Sequence, residues 1–248
     1  MLLYKESLKK LKASGWQKKA LAVRELGEMG YRKSTPLVEK CLYSGNRTLQ
    51  EESLMALVRL EDEPLAFLNR YKGELSLWMR INIYRYLQNI DHRRLPLFSQ
   101  YFNHPNLSVR LFSMSMTRRF KQSSSVAGLV DMLYDENAKV VGLAVSALGE
   151  LEAFQYRAQI AKLSMHVWRF HDLSKRVMQC LGSIGDKERD VDLVGRFLDH
   201  PCYTVRFEAV SALKKLGLQG EEFLQRFSIN NHKKIDSILQ HFAEPLLN

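Results

Sequence analysis

Apolar residues recur along this chain in groups, each of which keeps one face of a helix apolar. The clearest group holds Val205, Ala209, Ala212, Leu213 and Leu216, at offsets typical of an amphipathic helix. The same register returns in six earlier segments. The positions equivalent to Val205, taken as reference positions, are Lys18, Leu49, Met79, Val109, Val140 and Leu173. These reference positions are 30 to 33 residues apart, a period that indicates an array of helical repeats.

Each period has room for a second helix before the one just described. The apolar pattern predicts these preceding helices at Pro36–Leu42, Pro64–Tyr71, Leu95–Phe102, Val126–Leu133, Phe154–Val167 and Val191–Leu198. Pro36 and Pro64 suit a first helical turn, and Gly30, Gly185 and Gly217 suit left-handed helix ends. No segment alternates apolar and polar residues over a useful length, so the sequence predicts an all-α fold.

Two repeats share a longer motif, His104-Pro105 with Val109-Arg110 and His200-Pro201 with Val205-Arg206, each followed by small and apolar residues. This motif resembles HEAT repeats, and its short period is most similar to the HEAT-like repeats of the phycobilisome-lyase type. The resemblance implies a right-handed α-solenoid of about seven helical hairpins with capping helices. It does not imply a function, because repeat folds of this kind serve many roles. The histidines stand in equivalent repeats, which favours a structural role in the turn.

A stack of repeats buries one continuous core, so we expect a single repeat domain over residues 1–248. Within it, residues 1–15 would form a basic N-terminal capping helix, residues 16–217 the repeats, and residues 218–248 a C-terminal cap. The cap is predicted as two helices, Glu221–Phe227 and Lys233–Phe242, joined by a turn at Asn230-Asn231.

The net charge of +10 is concentrated at the start of the chain, where residues 1–50 hold 11 Lys and Arg against 4 Asp and Glu. The first helix is amphipathic, and such a helix either caps the first repeat or lies on an anionic membrane surface. The lysines that would contact a membrane are Lys5, Lys9, Lys10 and Lys12.

No catalytic, cofactor-binding or metal-binding motif stands out, so we expect a non-enzymatic protein without a cofactor. The histidines lack metal-ligand spacing, and the sequence has no Gly-rich phosphate loop, Gly-x-Ser-x-Gly or Cys-x-x-Cys. The His-Glu pairs of iron-binding HEAT enzymes are also missing. The three cysteines are odd in number and far apart, which fits the cytoplasm. Attachment at the membrane periphery, or to a membrane anchor in a longer protein, is a second expectation.

The polar stripe of the second helices is the candidate binding face, because it carries arginine and large apolar residues. The resemblance places this stripe on the concave surface of a solenoid. Arginine with aromatic residues is typical of protein interfaces, so we expect an acidic, partly apolar protein or peptide as the partner of a scaffold. A basic groove with aromatic residues also suits nucleic acid, which is the alternative function. The candidate partner-binding residues are Arg24, Met55, Arg59, Trp78, Arg85, Phe112 and Arg119.

Overall fold

The protein is helical throughout the part of the chain that the structure, a computed structural model, describes. That part is residues 3–13 and 15–243, with only the backbone described for residues 230–234, and it contains no strand. The all-α prediction is confirmed, and the helices pack in consecutive pairs as a helical repeat protein requires. The chain divides into two compact units, Met1–Ser113 and Met114–Asn248, while the single-domain assignment stays a prediction.

Unit 1 begins with the helical hairpin of α1 (Leu3–Lys12) and α2 (Trp16–Glu28). It continues with α3 (Thr35–Leu42), α4 (Arg47–Leu60) and α5 (Leu77–Gln88). Its last helix, α6 (Leu107–Arg119), contains the boundary to unit 2. Unit 2 is built from α7 (Val126–Asp131), α8 (Ala138–Glu150), α9 (Arg157–Ser164), α10 (His171–Ile184), α11 (Val191–Gly195), α12 (Tyr203–Lys215) and α13 (Leu218–Ala243).

Two of the predicted first helices are much shorter than expected. The segments Pro64–Tyr71 and Leu95–Phe102 contain only the 3-10 helices Ala66–Arg70 and Phe98–Tyr101. Pro96 accounts for the second case, because a residue before proline is driven to extended backbone, and Leu95 has ψ 132°. In the first case Leu65 takes a left-handed φ of 68°. Its side chain is buried and its carbonyl accepts a hydrogen bond from the Tyr101 hydroxyl at 3.0 Å, which hold this strained residue in place.

Helix ends were predicted correctly at two of three glycines. Gly30 and Gly217 have φ of 62° and 87°, in the left-handed region. Gly185 instead has extended backbone, with φ −65° and ψ 154°. Glycine is needed there because a Cβ atom would collide with the carbonyl oxygen of Leu181.

The predicted C-terminal turn is wrong, because α13 continues through Asn230-Asn231 as one helix from Leu218 to Ala243. Neither asparagine is a strong helix breaker, and the apolar register on both sides supports continuation. Ile235 and Ile238 are fully buried, while the Phe242 ring stacks on Phe207 of α12 with 5.0 Å between centroids. The rest of the predicted cap, residues 244–248, lies outside the described residues.

The repeated His-Pro motif is a turn that the histidine ring holds in place. Nδ1 of His200 accepts a hydrogen bond from the backbone N–H of Cys202 at 3.0 Å, and Nδ1 of His104 does the same for Asn106 at 3.0 Å. Since Nδ1 of His200 is an acceptor, Nε2 carries the proton and donates to the Trp168 carbonyl at 2.8 Å. The structure therefore gives both histidines the structural role that their repetition indicates.

The motif arginines bind the turn of their own repeat. Arg110 donates from Nε to the Phe102 carbonyl at 2.8 Å. Arg206 donates from Nη1 to the carbonyls of His200 and Pro201 at 2.8 and 2.9 Å. Each arginine thus ties the first turn of a second helix to the loop that precedes it.

Successive second helices approach each other closely where a glycine faces a small residue. A Cβ atom on Gly27 would lie 2.9 Å from the Ala56 Cα, and one on Gly182 would lie 3.0 Å from the Ala212 Cα. Gly149 has the same relation to Cys180, at 3.1 Å from its Cα. The three glycines share one repeat position, nine residues after the reference, and their partners share the position seven residues after it. This contact is therefore a shared feature of these repeats.

We predict that Gly27→Ala destabilises unit 1, although alanine normally stabilises a helix interior by about 1 kcal/mol relative to glycine. The added methyl group overpacks the contact with Ala56, and overpacking costs about 1–3 kcal/mol. Gly142→Ala is the control, since its Cβ would meet only the flexible Arg176 side chain. Urea denaturation followed by circular dichroism measures both. Equal stabilisation by the two changes would contradict the close-contact interpretation.

Candidate functional site

The exposed face of α4 and α5 in unit 1 carries the predicted binding residues that remain accessible. On α4, Met55 is half-buried and Arg59 is exposed one turn later. On α5, Trp78 is 41% exposed and Arg85 is also exposed. Trp78 and Arg85 are seven residues apart, which places them on one side of the helix about 10 Å from each other along its axis. The structure therefore keeps these four residues as a candidate face.

Sequence reasoning missed two apolar residues beside Trp78. Leu77 is 66% exposed and Ile81 is 45% exposed, and with Trp78 they form the α5 patch. Ile81 follows Trp78 by three residues, and Arg85 follows it by seven. All three therefore lie on the same side of the helix, with Ile81 between the other two. The available signal was the repeat register: the positions of Leu77 and Ile81 hold Arg47 and Glu51 in α4, which are charged residues that pair with each other.

Phe112 is not part of this face, which corrects its assignment as a binding residue. Its side chain is only 2% exposed, so it belongs to the core. Five equivalent residues, Glu52, Asn82, Leu143, Arg176 and Glu208, are half-buried, while the sixth, Leu21, is 47% exposed. Burial at this position therefore differs between repeats, and the Phe112 ring is stabilised by leaving water.

Arg24 is present on the predicted stripe but its charge is already compensated. Its Nε donates to Glu52 on α4 at 3.1 Å, and Nη2 binds the other oxygen of the same carboxylate. This hydrogen bond is the main reason why the pKa of Arg24 is raised above its ordinary value. Arg119 is exposed, but it belongs to unit 2 and therefore does not extend the face described for unit 1.

Exposed arginines without a carboxylate partner lie on the two helices that carry the candidate face. Glu51 accepts a hydrogen bond from Arg47, and Glu52 binds Arg24, so two acidic residues of α4 are neutralised within unit 1. Among the described residues, no carboxylate pairs with Arg59 of α4 or Arg85 of α5, both exposed. The face therefore combines large apolar side chains with free guanidinium groups.

The first helix packs against α2 in the N-terminal hairpin. Ser7 and Lys10 both donate to the Glu25 carboxylate on α2, at 2.5 and 2.7 Å. Leu11 is buried, and the Tyr4 ring stacks on Tyr31 with 4.3 Å between centroids. Among the four lysines of the predicted membrane contact, Lys10 is half-buried and paired with Glu25, while Lys5, Lys9 and Lys12 are exposed.

In the described part of the chain, no group of three or more His, Cys, Asp or Glu side chains is placed to hold a metal ion. Burial raises the pKa of the Cys180 thiol to about 12, so this residue stays protonated and acts as a small core residue. Trp168, 38% exposed, packs edge-on against His200 with 4.7 Å between centroids. Within residues 3–13 and 15–243, no helix has the length and apolarity to cross a membrane.

Comparisons with known proteins find similarity among solved structures. No family model matches the sequence, and no curated protein matches it. Among solved structures, an engineered protein from the Northeast Structural Genomics Consortium is 15% identical, with a TM-score of 0.42 over 87% of this chain and 97% of that chain. A second engineered protein from the same consortium is 14% identical, with a TM-score of 0.47 over 87% of this chain and 68% of that chain.

Phe112→Ala separates a core role from a binding role. We expect it to lower the free energy of unfolding by about 3–5 kcal/mol, the usual cost of deleting a buried aromatic ring. Trp78→Ala, which removes an exposed ring from the neighbouring repeat, should change stability by about 0.5 kcal/mol or less. Chemical denaturation measures both values. If Phe112→Ala proved as mild as Trp78→Ala, the ring would belong to the surface after all.

Acid should loosen the attachment of α1 to α2. The hydrogen bonds from Lys10 and then Ser7 lower the pKa of Glu25 below its ordinary value of 4.5. Because the pKa of Glu25 is lower in the folded state, its interaction with Lys10 and Ser7 stabilises the folded protein fully above pH 4.5. This stabilisation is lost as the pH falls through the folded-state pKa of Glu25. Glu25→Gln should therefore cost up to about 1 kcal/mol at neutral pH, with the difference from wild type vanishing in acid.

Denaturation midpoints of wild type and Glu25→Gln across this pH range give the measurement. Glu6→Gln is the control, because Glu6 is exposed on α1 and has no hydrogen-bond or ion-pair partner among the described residues. A difference between wild type and Glu25→Gln that stays constant with pH would show that Glu25 does not act through its charge.

Proposed function

We propose that this protein is a non-catalytic scaffold that binds an acidic, partly apolar peptide or protein segment on the face of α4 and α5. The observation that supports it most is the α5 patch: three large apolar side chains, each at least 41% exposed, stand within five residues of one helix. Exposed apolar clusters of this kind with polar surroundings are typical of interaction sites. In α4, the equivalent positions are polar or charged, so the α5 patch is a local departure from the repeat.

The free arginines determine the chemistry of the proposed partner. Arg59 and Arg85 have no carboxylate partner among the described residues, so an acidic segment would supply one. Arginine binds carboxylates through two parallel hydrogen bonds, while Trp78 offers a large rigid surface next to it. An aromatic or aliphatic side chain of the partner would pack on Leu77, Trp78 and Ile81. The partner we infer therefore alternates acidic with apolar residues.

The finer structural type and the cellular site are part of the same proposal. We assign the repeats to the HEAT-like type on the His-Pro and Val-Arg motifs, with the second helices lining a concave surface. We place the scaffold in the cytoplasm because its cysteines are few, odd in number and distant in sequence. The basic hairpin of α1 and α2 supports work at the periphery of a membrane.

Selection of a random peptide library on the full chain tests the proposal without knowledge of the natural partner. Enriched peptides should contain Asp or Glu together with aromatic or aliphatic residues. Their affinity, measured by fluorescence anisotropy, should fall at least about a hundredfold for the double variant Trp78→Ala with Arg85→Ala, since interface aromatic and arginine anchors contribute about 2 kcal/mol or more each. The thermal melt of the variant should stay close to that of wild type.

A matched control removes an exposed ring and an exposed cation elsewhere, with Tyr134→Ala and Lys139→Ala. Tyr134 is 74% exposed, and Lys139 is exposed without an ion pair among the described residues. This variant should keep wild-type affinity for the selected peptides. Peptides that bind the Trp78/Arg85 variant as well as wild type would refute the proposed face.

Nucleic acid is the alternative that the same reagents address. Titration of labelled single-stranded DNA should show no binding that depends on Trp78 and Arg85. If DNA binds through them, and its affinity falls steeply between about 50 and 200 mM salt as phosphate contacts require, the nucleic-acid function replaces the scaffold.

A further inference from the structure

A row of three lysines runs along the outer side of α1. Lys5, Lys9 and Lys12 follow one another at intervals of four and three residues, so they share one face of the helix over about 10 Å. All three are exposed, and none has an ion-pair or hydrogen-bond partner among the described residues. We call this set the lysine row.

The lysine row carries more charge than the acidic residues near it can balance. Glu25 is occupied by Lys10 and Ser7, which lie on the side of α1 that faces α2. Glu6, the acidic residue of α1, lies about 100° around the helix from Lys5 and about 60° from Lys9, and it forms no ion pair with a described residue. The lysine row is thus a positive edge of three charges beside one carboxylate, on a helix that its buried residues Ser7 and Leu11 hold in place.

The composition of the row favours a lipid surface over nucleic acid. All basic residues of α1 are lysines, whereas specific phosphate contacts in nucleic-acid sites commonly use the two-pronged geometry of arginine. A straight row of flexible point charges matches the diffuse negative potential of anionic headgroups.

We propose that the lysine row docks unit 1 on membranes that contain anionic phospholipids. The contact is electrostatic and reversible, because Leu11 of α1 is buried and Leu8 is half-buried, which leaves Leu3 as the one exposed leucine of this helix. Each lysine near an anionic surface strengthens attachment about fivefold, so the row contributes about a hundredfold. This surface is independent of the α5 patch, and either one can fail in a test without affecting the other.

Co-sedimentation of the full chain with lipid vesicles tests the proposal. Vesicles of phosphatidylcholine alone serve as the blank, and vesicles that also contain phosphatidylserine provide the anionic surface. We expect binding to the phosphatidylserine vesicles at low ionic strength. It should weaken with salt, because the screening length falls from about 30 Å at 0.01 M to about 8 Å at 0.15 M.

The deciding comparison uses two triple variants that remove the same charge. Lys5→Gln, Lys9→Gln and Lys12→Gln should reduce partitioning onto anionic vesicles about a hundredfold. Lys72→Gln, Lys139→Gln and Lys162→Gln change three exposed lysines that also lack a partner among the described residues, and should reduce it far less. Circular dichroism melts confirm that both variants are folded.

Three outcomes would overturn the proposal. The first is that wild-type protein sediments no more with phosphatidylserine vesicles than with phosphatidylcholine vesicles. The second is that the two triple variants lose binding equally, which would reduce the effect to net charge. Binding of a labelled DNA duplex that requires the lysine row, in the absence of vesicle binding, would assign the row to nucleic acid.

Discussion

The close approach of consecutive second helices is the constraint on which the rest of the structure depends. It requires a glycine on one helix and a small residue on the next, as in the pairs Gly27 with Ala56 and Gly182 with Ala212. Without a Cβ atom the backbones come near enough for the flanking leucines and valines to exclude water. Val23, Leu26, Leu54 and Leu57 are accordingly fully buried around the first pair. Side-chain volume at one position thus sets the spacing of the helices.

The glycine of this contact is not present in every second helix. In α4, α5, α6 and α12 its position holds Val58, Gln88, Arg118 and Lys214. The close contact is therefore a property of some repeats, and the unit boundary lies inside one of the helices without it, α6, between Ser113 and Met114. On α5, Leu77 and Ile81 are exposed, and their exposure is the main support for the proposed binding face.

The period and the second helices could be predicted from the sequence because their apolar register repeats within the chain itself. The first elements were harder, since backbone geometry rather than hydrophobic pattern shortens them. Leu65 adopts a left-handed backbone conformation, which the presence of a leucine does not predict. A hydrogen bond from Tyr101, distant in sequence, holds it in this conformation. Phe112 shows a different limit: a helical projection assigns a direction to a side chain, but burial at its position differs between repeats. Only half of the candidate site was predictable for these reasons.

The distribution of charge gives the two proposed surfaces different physical characters. Arginines of unit 1 form carboxylate pairs between helices, such as Arg24 with Glu52 and Arg70 with Glu39, and those that remain free stand beside apolar side chains. The free lysines of α1 stand on a helix in which Leu11 is buried and Leu8 is half-buried. An arginine next to tryptophan gains from a directional, partly dry contact, whereas a solvated lysine acts through long-range potential. Peptide binding at the α5 patch should therefore tolerate salt, and attachment through the lysine row should not, which makes ionic strength a physical means of separating the two functions.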